Sequence, residues 1–590
     1  MQEKHIQQEG NQIILNTQGK ICSTTRELVR SDVFEWIYTR YLESLLERQS
    51  PILEGLGVDL NLSHERTKLL EVLQALAEDP IEQIHRTVEE IESYETNRNS
   101  LFKLVEGLYD YWRSFDRFMV CHSEEGPDSH DQRPYRTFNA TVERLDHLIR
   151  ALYRDICENI TGLHPRVYRQ VCAGCNVGLI AIQREWNIPS EYQSLLEGIP
   201  FIRQVLVDPP MIIYPPMNTR SGQFKRIMEN SFPGMTLEKS QWMCYPAQVG
   251  PLVIFVYFPQ IFISLGTALA NLFELATDAQ ISAGPDAIYL FGAPPESLAV
   301  YGELPTVFFD DEVNNILIAG IPGENRFGYF GYVKKMVLTL HNIVMMKRGR
   351  MPYHGAMTHI QLKDGSSANI LIIGDTATGK SETLEAFRSM GNEYIRELKI
   401  IADDMGSLEV SPEGKVLGYG TEIGAFVRLD DLQHGYAFGQ LDRAIFMNPN
   451  KVNSRVVVPV TSLDDLLKGY PVDFILYCNN YEEVDEDHPI IDHLENMEQA
   501  IAVFREGAAM SKGTTTSTGL GHSYYANIFG PPQYKDLHEG LARKTFKAAV
   551  EAGVYIGQMR TRLGIPGYEF QGPQEAAKAL FNLINQRAQK

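Results

Sequence analysis

The stretch GDTATGKS at residues 374–381 decides how the C-terminal part of the chain folds. The apolar run ANILI (368–372) precedes it and predicts a buried strand, and SETLEAFRSM (381–390) predicts a helix that opens at Ser381. A glycine, four free positions, Gly-Lys and a hydroxyl residue between a strand and a helix form the phosphate-loop pattern. A chance match to this degenerate pattern is the alternative, and the strand-loop-helix context argues against it.

Each part of the loop has a predicted task. Lys380 would reach the outer phosphates, and the Ser381 hydroxyl would bind the Mg²⁺ that accompanies a nucleotide such as ATP or GTP. Backbone N–H groups would cradle the phosphate oxygens along the whole loop, which consists of Gly374, Asp375, Thr376, Ala377, Thr378, Gly379, Lys380 and Ser381.

Two carboxylates follow the next apolar run of the chain. LKIIADDM (398–405) predicts a strand that ends in Asp403 and Asp404. Paired carboxylates at a strand end beside a phosphate loop suit a divalent cation. A capped turn after a strand is the alternative for the pair by itself.

Upstream of the loop, residues 328–357 carry Tyr329, Lys334, Lys335 and His354. Taken singly, a lysine pair is usually a solvated face and a histidine usually a hydrogen-bonded core group. Together, four features resemble the phosphoenolpyruvate carboxykinase family in order and spacing. They are YFGYVKK (329–335), His354 at 19 residues after Lys335, the phosphate loop and the Asp pair. The ATP-dependent members carry YGGEMKK, MH at the same interval, GLSGTGKT and GDD.

The resemblance covers roughly residues 195–590 and implies further site residues. PPMNTRSGQFK (215–225) is similar to the family's TGRSPKDK segment, which implies that Arg220 binds the substrate carboxylate. NSRVVVP (453–459) is similar to NTRVSYP, which makes Arg455 a phosphate-side candidate. The family fold implied is α/β, a two-domain mixed-sheet core with a phosphate loop, preceded here by an all-helical N-terminal region.

The implied reaction is the decarboxylation of oxaloacetate and the phosphorylation of the resulting enolate to phosphoenolpyruvate. The resemblance implies that Lys335, His354 and Asp404 bind Mn²⁺, so that Lys335 needs a lowered pKa to act as a ligand. Tyr329 would contact the substrate that Arg220 orients. Mg²⁺ would accompany the nucleotide near Ser381 and Asp403.

The chain departs from the family at two phosphate-side arginines. NNYEEVDEDHPIID (479–492) stands where the family has PPVSRLT, and GTTTSTG (513–519) stands where it has GTERG. Replacement cations could be Arg505 and Lys512, or Arg113 and Arg117, although a salt bridge within the protein is the simpler role for the last two. Substrate identity therefore stays open.

Three domains are predicted: a helical extension at 1–190, a substrate-side α/β domain at 191–345 and a nucleotide-binding α/β domain at 346–590. Apolar residues at helical spacing support the first: Phe34, Ile37, Tyr38, Tyr41, Leu42 and Leu45, and later Leu69, Val72, Leu73 and Leu76. Cys172 and Cys175 would begin an apolar helix as two buried thiols, with a metal or redox role as the alternative. The extension would cover the cleft or mediate assembly into an oligomer.

The amino-acid composition limits the kinds of molecule that the chain is expected to bind. A formal net charge of -21 argues against non-specific binding to nucleic acid or an anionic membrane, so a local basic pocket must hold any anionic substrate. Seven cysteines without framework spacing and an N-terminus without an apolar signal core predict a cytoplasmic protein. The apolar stretch 249–273 is interrupted by Pro259 and Gln260, which favours a strand followed by a packed helix over a membrane span.

The leading hypothesis is a phosphoenolpyruvate carboxykinase-like lyase that uses Mn²⁺, Mg²⁺ and a nucleoside triphosphate. The alternatives are a kinase of a small metabolite or a protein hydroxyl on the same core, as in the related HPr kinases, and a nucleotide-binding regulator without catalysis. Lys335, His354 and Arg220 together favour the lyase over a kinase. The sequence does not choose between ATP, GTP and pyrophosphate as phosphoryl donor.

Overall fold

A computed structural model describes residues 6–17, 22–47, 49–123, 134–164, 172–375, 378–389, 395–429, 438–511 and 519–588. The chain divides into two compact units. The first contains Met1–Gln183 with Ile202–Asp208, and the second contains Arg184–Phe201 with Pro209–Lys590. Both ranges predicted as separate α/β domains, 191–345 and 346–590, fall largely in the second unit.

The first unit combines helices with a sheet. Its helices are α1 (Thr25–Val29), α2 (Asp32–Glu47), α3 (Pro51–Leu56), α4 (Ser63–Leu76), α5 (Glu92–Thr96), α6 (Arg98–Arg113) and α7 (Pro134–Thr161). Its strands are β1 (Ile6–Glu9), β2 (Gln12–Thr17), β3 (Asp116–Ser123), β4 (Val177–Ile182) and β5 (Phe201–Val207), which lie in that order in the sheet. The predicted helical faces of α2 and α4 are confirmed, since all the named residues but the half-buried Phe34 are buried.

The prediction of an all-helical N-terminal region is wrong. Strands β2, β3 and β4 pair in parallel, and every residue of β4 is buried. A parallel strand covered on both faces reads as a continuous apolar run, and periodicity cannot distinguish such a run from part of a buried helix. Cys172 and Cys175 therefore precede strand β4, and the apolar helix predicted at this position is also wrong.

A mixed sheet forms the first part of the second unit. Its strands lie in the order β8, β9, β11, β13, β12, β7, with β10 paired to β8. They are β7 (Lys225–Ile227), β8 (Trp242–Val249), β9 (Leu252–Pro259), β10 (Glu274–Leu275), β11 (Ala287–Ala293), β12 (Val307–Asp311) and β13 (Ile316–Pro322), after the short β6 (Met211–Ile213). The helices are α8 (Gln193–Leu196), α9 (Ile263–Thr267), α10 (Asp278–Ala283), α11 (Pro295–Leu298) and α12 (Phe330–Lys347). Strand β9 ends at Pro259, which confirms the predicted break.

A second mixed sheet carries the predicted nucleotide motifs, in the order β22, β18, β17, β14, β15, β23, β27, β24, with β16 paired to β14. Its strands are β14 (Met351–Leu362), β15 (Ser367–Ile373), β16 (Ile395–Ala402), β17 (Met405–Val410), β18 (Val416–Gly420), β22 (Tyr470–Pro471), β23 (Phe474–Asn479), β24 (Ile491–His493) and β27 (Tyr555–Arg560). Smaller sheets contain β19 (Gly424–Arg428), β20 (Ile445–Met447), β21 (Arg455–Pro459), β25 (Ala508–Ser511) and β26 (Gly519–His522). The helices are α13 (Lys380–Ser389), α14 (Leu463–Leu467), α15 (Met497–Glu506), α16 (Lys535–Glu551) and α17 (Gln571–Ala588).

Helix α12 is the central helix of this unit. Its residues are buried from Phe330 to Met346 with the exception of Lys335, which is partly buried. A helix that is apolar on nearly every face belongs inside a large unit. Two adjacent lysines, Lys334 and Lys335, are therefore carried into the protein interior. In the part of the chain that the structure describes, no helix has the length and apolar character needed to span a bilayer.

Candidate functional site

Strand β14 brings three sequence motifs together. Its His354 lies opposite Met405 of β17 on one side, and its Gly355 lies opposite Ile373 of β15 on the other. Two hydrogen bonds continue the pairing beyond the strand ends, since Gly355 N donates to the Asp404 carbonyl at 2.9 Å and the N–H of Gly374 donates to the carbonyl of His354 at 3.2 Å. The histidine, the Asp pair and the phosphate loop are therefore neighbours.

The predicted phosphate loop connects β15 to α13, which confirms the predicted order of strand, loop and helix. Lys380 is 7% exposed, and its Nζ donates to the carbonyl oxygens of Gly374 and Asp375, both at 2.7 Å. The hydroxyl of Thr378 donates to the same Asp375 carbonyl at 2.8 Å. Thr376 and Ala377 lie outside the described residues, and so does the side chain of Ser381, whose backbone is helical.

Two residues that the sequence does not predict as part of the site, Thr561 and Cys478, contact the backbone of this loop. The Thr561 hydroxyl donates to the Thr378 carbonyl at 2.7 Å, and the Cys478 thiol approaches the same oxygen at 3.0 Å. Gly379 has a φ of +97°, and a Cβ there would lie 2.8 Å from Thr561. The glycine of the motif is thus needed both for its backbone angle and for close approach. No signal in the sequence pairs these distant positions.

Lys334, His354, Asp404 and Glu422 form what we call the paired cluster. Lys334 Nζ lies 2.8 Å from Asp404 Oδ2 and 3.2 Å from Glu422 Oε1, and His354 Nε2 lies 2.9 Å from Asp404 Oδ1. Burial would raise the pKa of Asp404, but Lys334 and His354 hold it well below its usual range. Burial raises the pKa of Glu422 to about 8, and the two carboxylates keep the pKa of Lys334 raised despite its own burial. Asp403 is half-buried beside this cluster and adds to the pKa rise of Lys334.

The ring orientation of His354 is determined by a backbone carbonyl. Its Nδ1 makes a short hydrogen bond with the carbonyl oxygen of Ala526, which can only accept, so Nδ1 carries the proton. In the neutral ring, Nε2 then points a lone pair at Asp404 Oδ1. Their 2.9 Å separation is a hydrogen-bond distance, so either a proton lies between the two atoms or a cation binds to one side of both, and a histidine oriented through its other nitrogen is typical of a metal ligand.

The segment that supplies this carbonyl has an uncommon backbone. Tyr525, Ala526 and Asn527 have φ values of 44°, 58° and 60°, three successive left-handed residues without glycine. Each such residue costs roughly 1–2 kcal/mol, and such strain persists where the surroundings enforce it. Ala526 is fully buried and Tyr525 is 2% exposed. Packing therefore keeps the carbonyl directed at His354.

Lys335 has a different environment from its neighbour. Burial and the nearby Arg220 lower the pKa of Lys335 to about 8, although Asp404 acts in the opposite direction. Its Nζ lies 4.7 Å from the ring centroid of Phe529, and the ring of His354 lies 6.0 Å from the same ring. Within the described part of the chain, Lys335 forms no ion pair with a carboxylate. A partly neutral amine beside His354 and Asp404 fits the predicted ligand role.

Arg220 lies on a loop that is tied to helix α12. The Tyr332 hydroxyl accepts from Ser221 N at 3.0 Å and donates to the Ser221 carbonyl at 3.1 Å. Arg220 donates from Nη1 to the Gly222 carbonyl at 2.6 Å, and its guanidinium carbon lies 5.1 Å from the Phe224 ring centroid. Its Nε is buried without a hydrogen-bond partner, and no described carboxylate pairs with it. Burial lowers the pKa of the guanidinium.

Arg455 approaches the same region from strand β21. Its Nη2 donates to Asn453 Oδ1 at 2.9 Å, and Asn453 Nδ2 donates to the Asn218 carbonyl at 2.6 Å, which ties this strand to the segment before Arg220. Arg455 Nε is also buried without a partner, and among the described residues it forms no ion pair. We call Arg220, Lys335 and Arg455 the unpaired cluster.

Tyr329 and Phe426 lie between the two clusters. The ring centroid of Phe426 lies 5.5 Å from the guanidinium carbon of Arg455, 5.8 Å from Lys334 Nζ and 6.1 Å from the ring of Tyr329. Burial raises the pKa of Tyr329, and Arg455 and Arg220 oppose that rise. The Tyr329 hydroxyl is therefore neutral and close to both arginines.

The proposed substitutes for the two missing arginines have internal partners. Arg505 binds Glu539 through two contacts at 2.9 and 2.5 Å, and Arg113 pairs with Asp110 at 3.2 Å. Arg117 donates to the side chain of Asn176 at 3.2 Å, and Lys512 lies outside the described residues. No described candidate is thus free to replace them.

Comparison with known proteins adds no relative. The chain matches none of the protein-family models, and no curated protein is similar to it. Across the described residues, no three His, Cys, Asp or Glu side chains form a group that could hold a metal. The predicted manganese ligands are a different, mixed donor set of one histidine, one carboxylate and one lysine.

Proposed function

We propose that the chain is a phosphoenolpyruvate carboxykinase-like enzyme that converts oxaloacetate and a nucleoside triphosphate to phosphoenolpyruvate, CO₂ and a nucleoside diphosphate. The observation that carries the proposal is the position of Lys335, whose Nζ lies 4.7 Å from the Phe529 ring that His354 also approaches, while His354 lies 2.9 Å from Asp404 and the pKa of Lys335 is lowered to about 8. Lys335, His354 and Arg220 have no reason to occur together in a plain kinase. The unpaired arginines, Arg220 and Arg455, supply the local positive charge that an acidic chain needs to bind anions.

Lys335, His354 and Asp404 would hold a Mn²⁺ ion, and Ser381 and Asp403 would hold the Mg²⁺ of the nucleotide. Such ions supply Lewis-acid polarisation of oxygen atoms that gain negative charge. The donor set fits this task because His354 presents Nε2 and Asp404 is kept ionised. Lys334 neutralises the second oxygen of Asp404 and so keeps the carboxylate oriented.

The remaining steps use the side chains of the chain itself. Arg220 binds a substrate carboxylate through its guanidinium, and Tyr329 donates a hydrogen bond to the same molecule. The bond between the departing carboxylate and its carbon breaks, and the electron pair stays on the substrate as an enolate. The enolate oxygen then attacks the terminal phosphorus, and the bond to the nucleoside diphosphate breaks. Lys380 and Arg455 stabilise charge on the transferred phosphoryl group.

The deciding experiment measures phosphoenolpyruvate formation from oxaloacetate with Mn²⁺ and ATP, GTP or pyrophosphate, for the wild type and Lys335→Ala. Turnover that collapses in Lys335→Ala, but not in the exposed control Lys547→Ala, supports the lyase and identifies the donor. Absence of product with every donor, despite measurable nucleotide binding, rejects the lyase. Phosphoryl transfer to a hydroxyl substrate would then indicate the kinase, and binding without any turnover the regulator.

A further inference from the structure

A partly open apolar cavity of about 130 Å³ lies against the core of the first unit. Five helices contribute to its walls: Leu28 comes from α1, Phe34 and Ile37 from α2, Leu73 from α4, Trp112 from α6, and Leu152 from α7. Well-packed protein cores contain few voids larger than a water molecule. A cavity of this size among so many leucine and aromatic side chains is therefore a feature that needs an explanation.

Three polar side chains of the cavity walls have hydrogen-bond partners within the protein. Trp112 Nε1 donates to the Ala173 carbonyl at 2.5 Å, and Ser31 Oγ donates to the Leu28 carbonyl at 2.7 Å. The Tyr153 hydroxyl makes a short hydrogen bond with the Glu106 carboxylate. Water in a cavity needs two to four polar partners, and these side chains offer none. The walls favour an occupant that makes no hydrogen bonds.

Most of the partly exposed side chains around the cavity are also apolar or aromatic. Phe34 and Val33 are half-buried, and Tyr109 stacks on Tyr153 with ring centroids 4.0 Å apart. Burial and the nearby Glu27 raise the pKa of the Cys22 thiol, which keeps this wall residue neutral. Among the described residues, no charged side chain lines the cavity.

We propose that this cavity binds a hydrocarbon group, either a small apolar molecule or the end of an acyl chain. An apolar cavity of about 150 Å³ in another protein stays dry and binds benzene or xenon. The cavity of the first unit is of similar volume, so a ring or a short alkyl segment fits it. This binding activity is separate from the proposed reaction, and its test does not depend on whether that reaction occurs.

Trp112 supplies the readout, because bromine quenches indole fluorescence on contact. The full-length chain is titrated with bromobenzene and, separately, with 12-bromododecanoate. We expect saturable quenching that is lost in Trp112→Phe, which removes the wall indole and keeps an aromatic ring. Saturation by bromobenzene alone assigns a small apolar ligand, and tighter saturation by the dodecanoate assigns an acyl chain. Quenching that does not saturate with either probe, or that persists in Trp112→Phe, overturns the proposal.

Filling the cavity gives a second test. Val105 lines the cavity, whereas Val88 is buried in the same core away from it. We expect Val105→Phe to weaken probe binding at least tenfold without lowering the melting temperature, because its ring enters open space. Val88→Phe adds the same bulk to packed surroundings and is expected to lower the melting temperature while probe binding persists. Equal probe affinity in the wild type and Val105→Phe would contradict the proposal.

Discussion

The paired and unpaired clusters meet on helix α12, where the adjacent residues Lys334 and Lys335 have opposite electrostatic environments. Lys334 contacts two carboxylates, which keep its pKa raised although it is buried. Lys335 has no such partner among the described residues, and burial lowers its pKa to about 8. The two side chains have the same chemistry and nearly the same place in the helix. Their difference shows that the partners of a buried lysine, and not its burial alone, decide its charge.

The comparison also separates structure from function. Ion pairs join Lys334 to Asp404 and Glu422 in the paired cluster, so they can hold β14, β17 and α12 in place without a ligand, although both carboxylate oxygens of Glu422 are buried without a hydrogen bond. In the unpaired cluster, Arg220 and Arg455 each have a buried Nε atom without a hydrogen-bond partner. An unsatisfied buried donor costs free energy, which a bound acceptor would recover. An anion at the unpaired cluster would supply such an acceptor.

The largest effect is expected from breaking the paired cluster with Lys334→Met. Met has a similar shape, but the substitution leaves Asp404 and Glu422 buried without their cation. Removal of one partner from a buried ion pair costs about 3–5 kcal/mol. Urea unfolding monitored by circular dichroism measures this loss. An unchanged unfolding midpoint would mean that the paired cluster does not stabilise the fold.

The matched substitution Lys335→Met is expected to spare stability and abolish activity. It removes a cation whose charged form is disfavoured by burial, so the free energy of unfolding should not fall. Loss of one charge-stabilising group from an active site typically reduces kcat by about 10²–10³. Paired measurements of unfolding and of phosphoenolpyruvate formation test both parts. A stability loss like that of Lys334→Met would erase the distinction between the clusters.

The pH dependence of stability sharpens the same comparison. The pKa of Lys335 is about 8 in the folded chain and 10.5 as its ordinary value. Between these values the unfolded state binds the proton that the folded state has released, so this group makes stability rise with pH from 8 to 10.5. The rise is at most about 1.4 kcal/mol per pH unit. Unfolding curves across this window should show it in the wild type and lose it in Lys335→Met, and parallel curves would contradict the lowered pKa.

The smallest effect concerns the backbone behind His354. Ala526→Gly relieves a left-handed alanine with a φ of 58°, so we expect stability to rise by up to about 1 kcal/mol. Ala549→Gly in helix α16 provides the control, where the same change should cost about 1 kcal/mol. Thermal unfolding compares the two. A loss of stability in both variants would show that the 525–527 segment is not strained.

Part of the site follows from the sequence because its signals are local. The strand at 367–373, the phosphate loop and the helix from Lys380 are all within one short segment, and apolar runs with a glycine motif predict such an order. The family resemblance implies that Lys335, His354 and Asp404 meet; in the structure His354 lies 2.9 Å from Asp404, and Lys335 and His354 both approach the ring of Phe529. Their metal-binding and catalytic roles stay predictions. The strands of the first unit were missed because a short buried strand has no period of its own.

The sequence by itself determined the local elements around GDTATGKS and the set of ionisable residues available to a site. Only the tertiary structure decided which lysine is paired with carboxylates, because the carboxylate of Glu422 lies 88 positions from Lys334 along the chain. It alone also chose the tautomer of His354, through the carbonyl of Ala526, which is 172 residues away. Electrostatic and hydrogen-bonding energies depend on distances in space, and chain separation does not specify these distances before the sheets and helix α12 have packed.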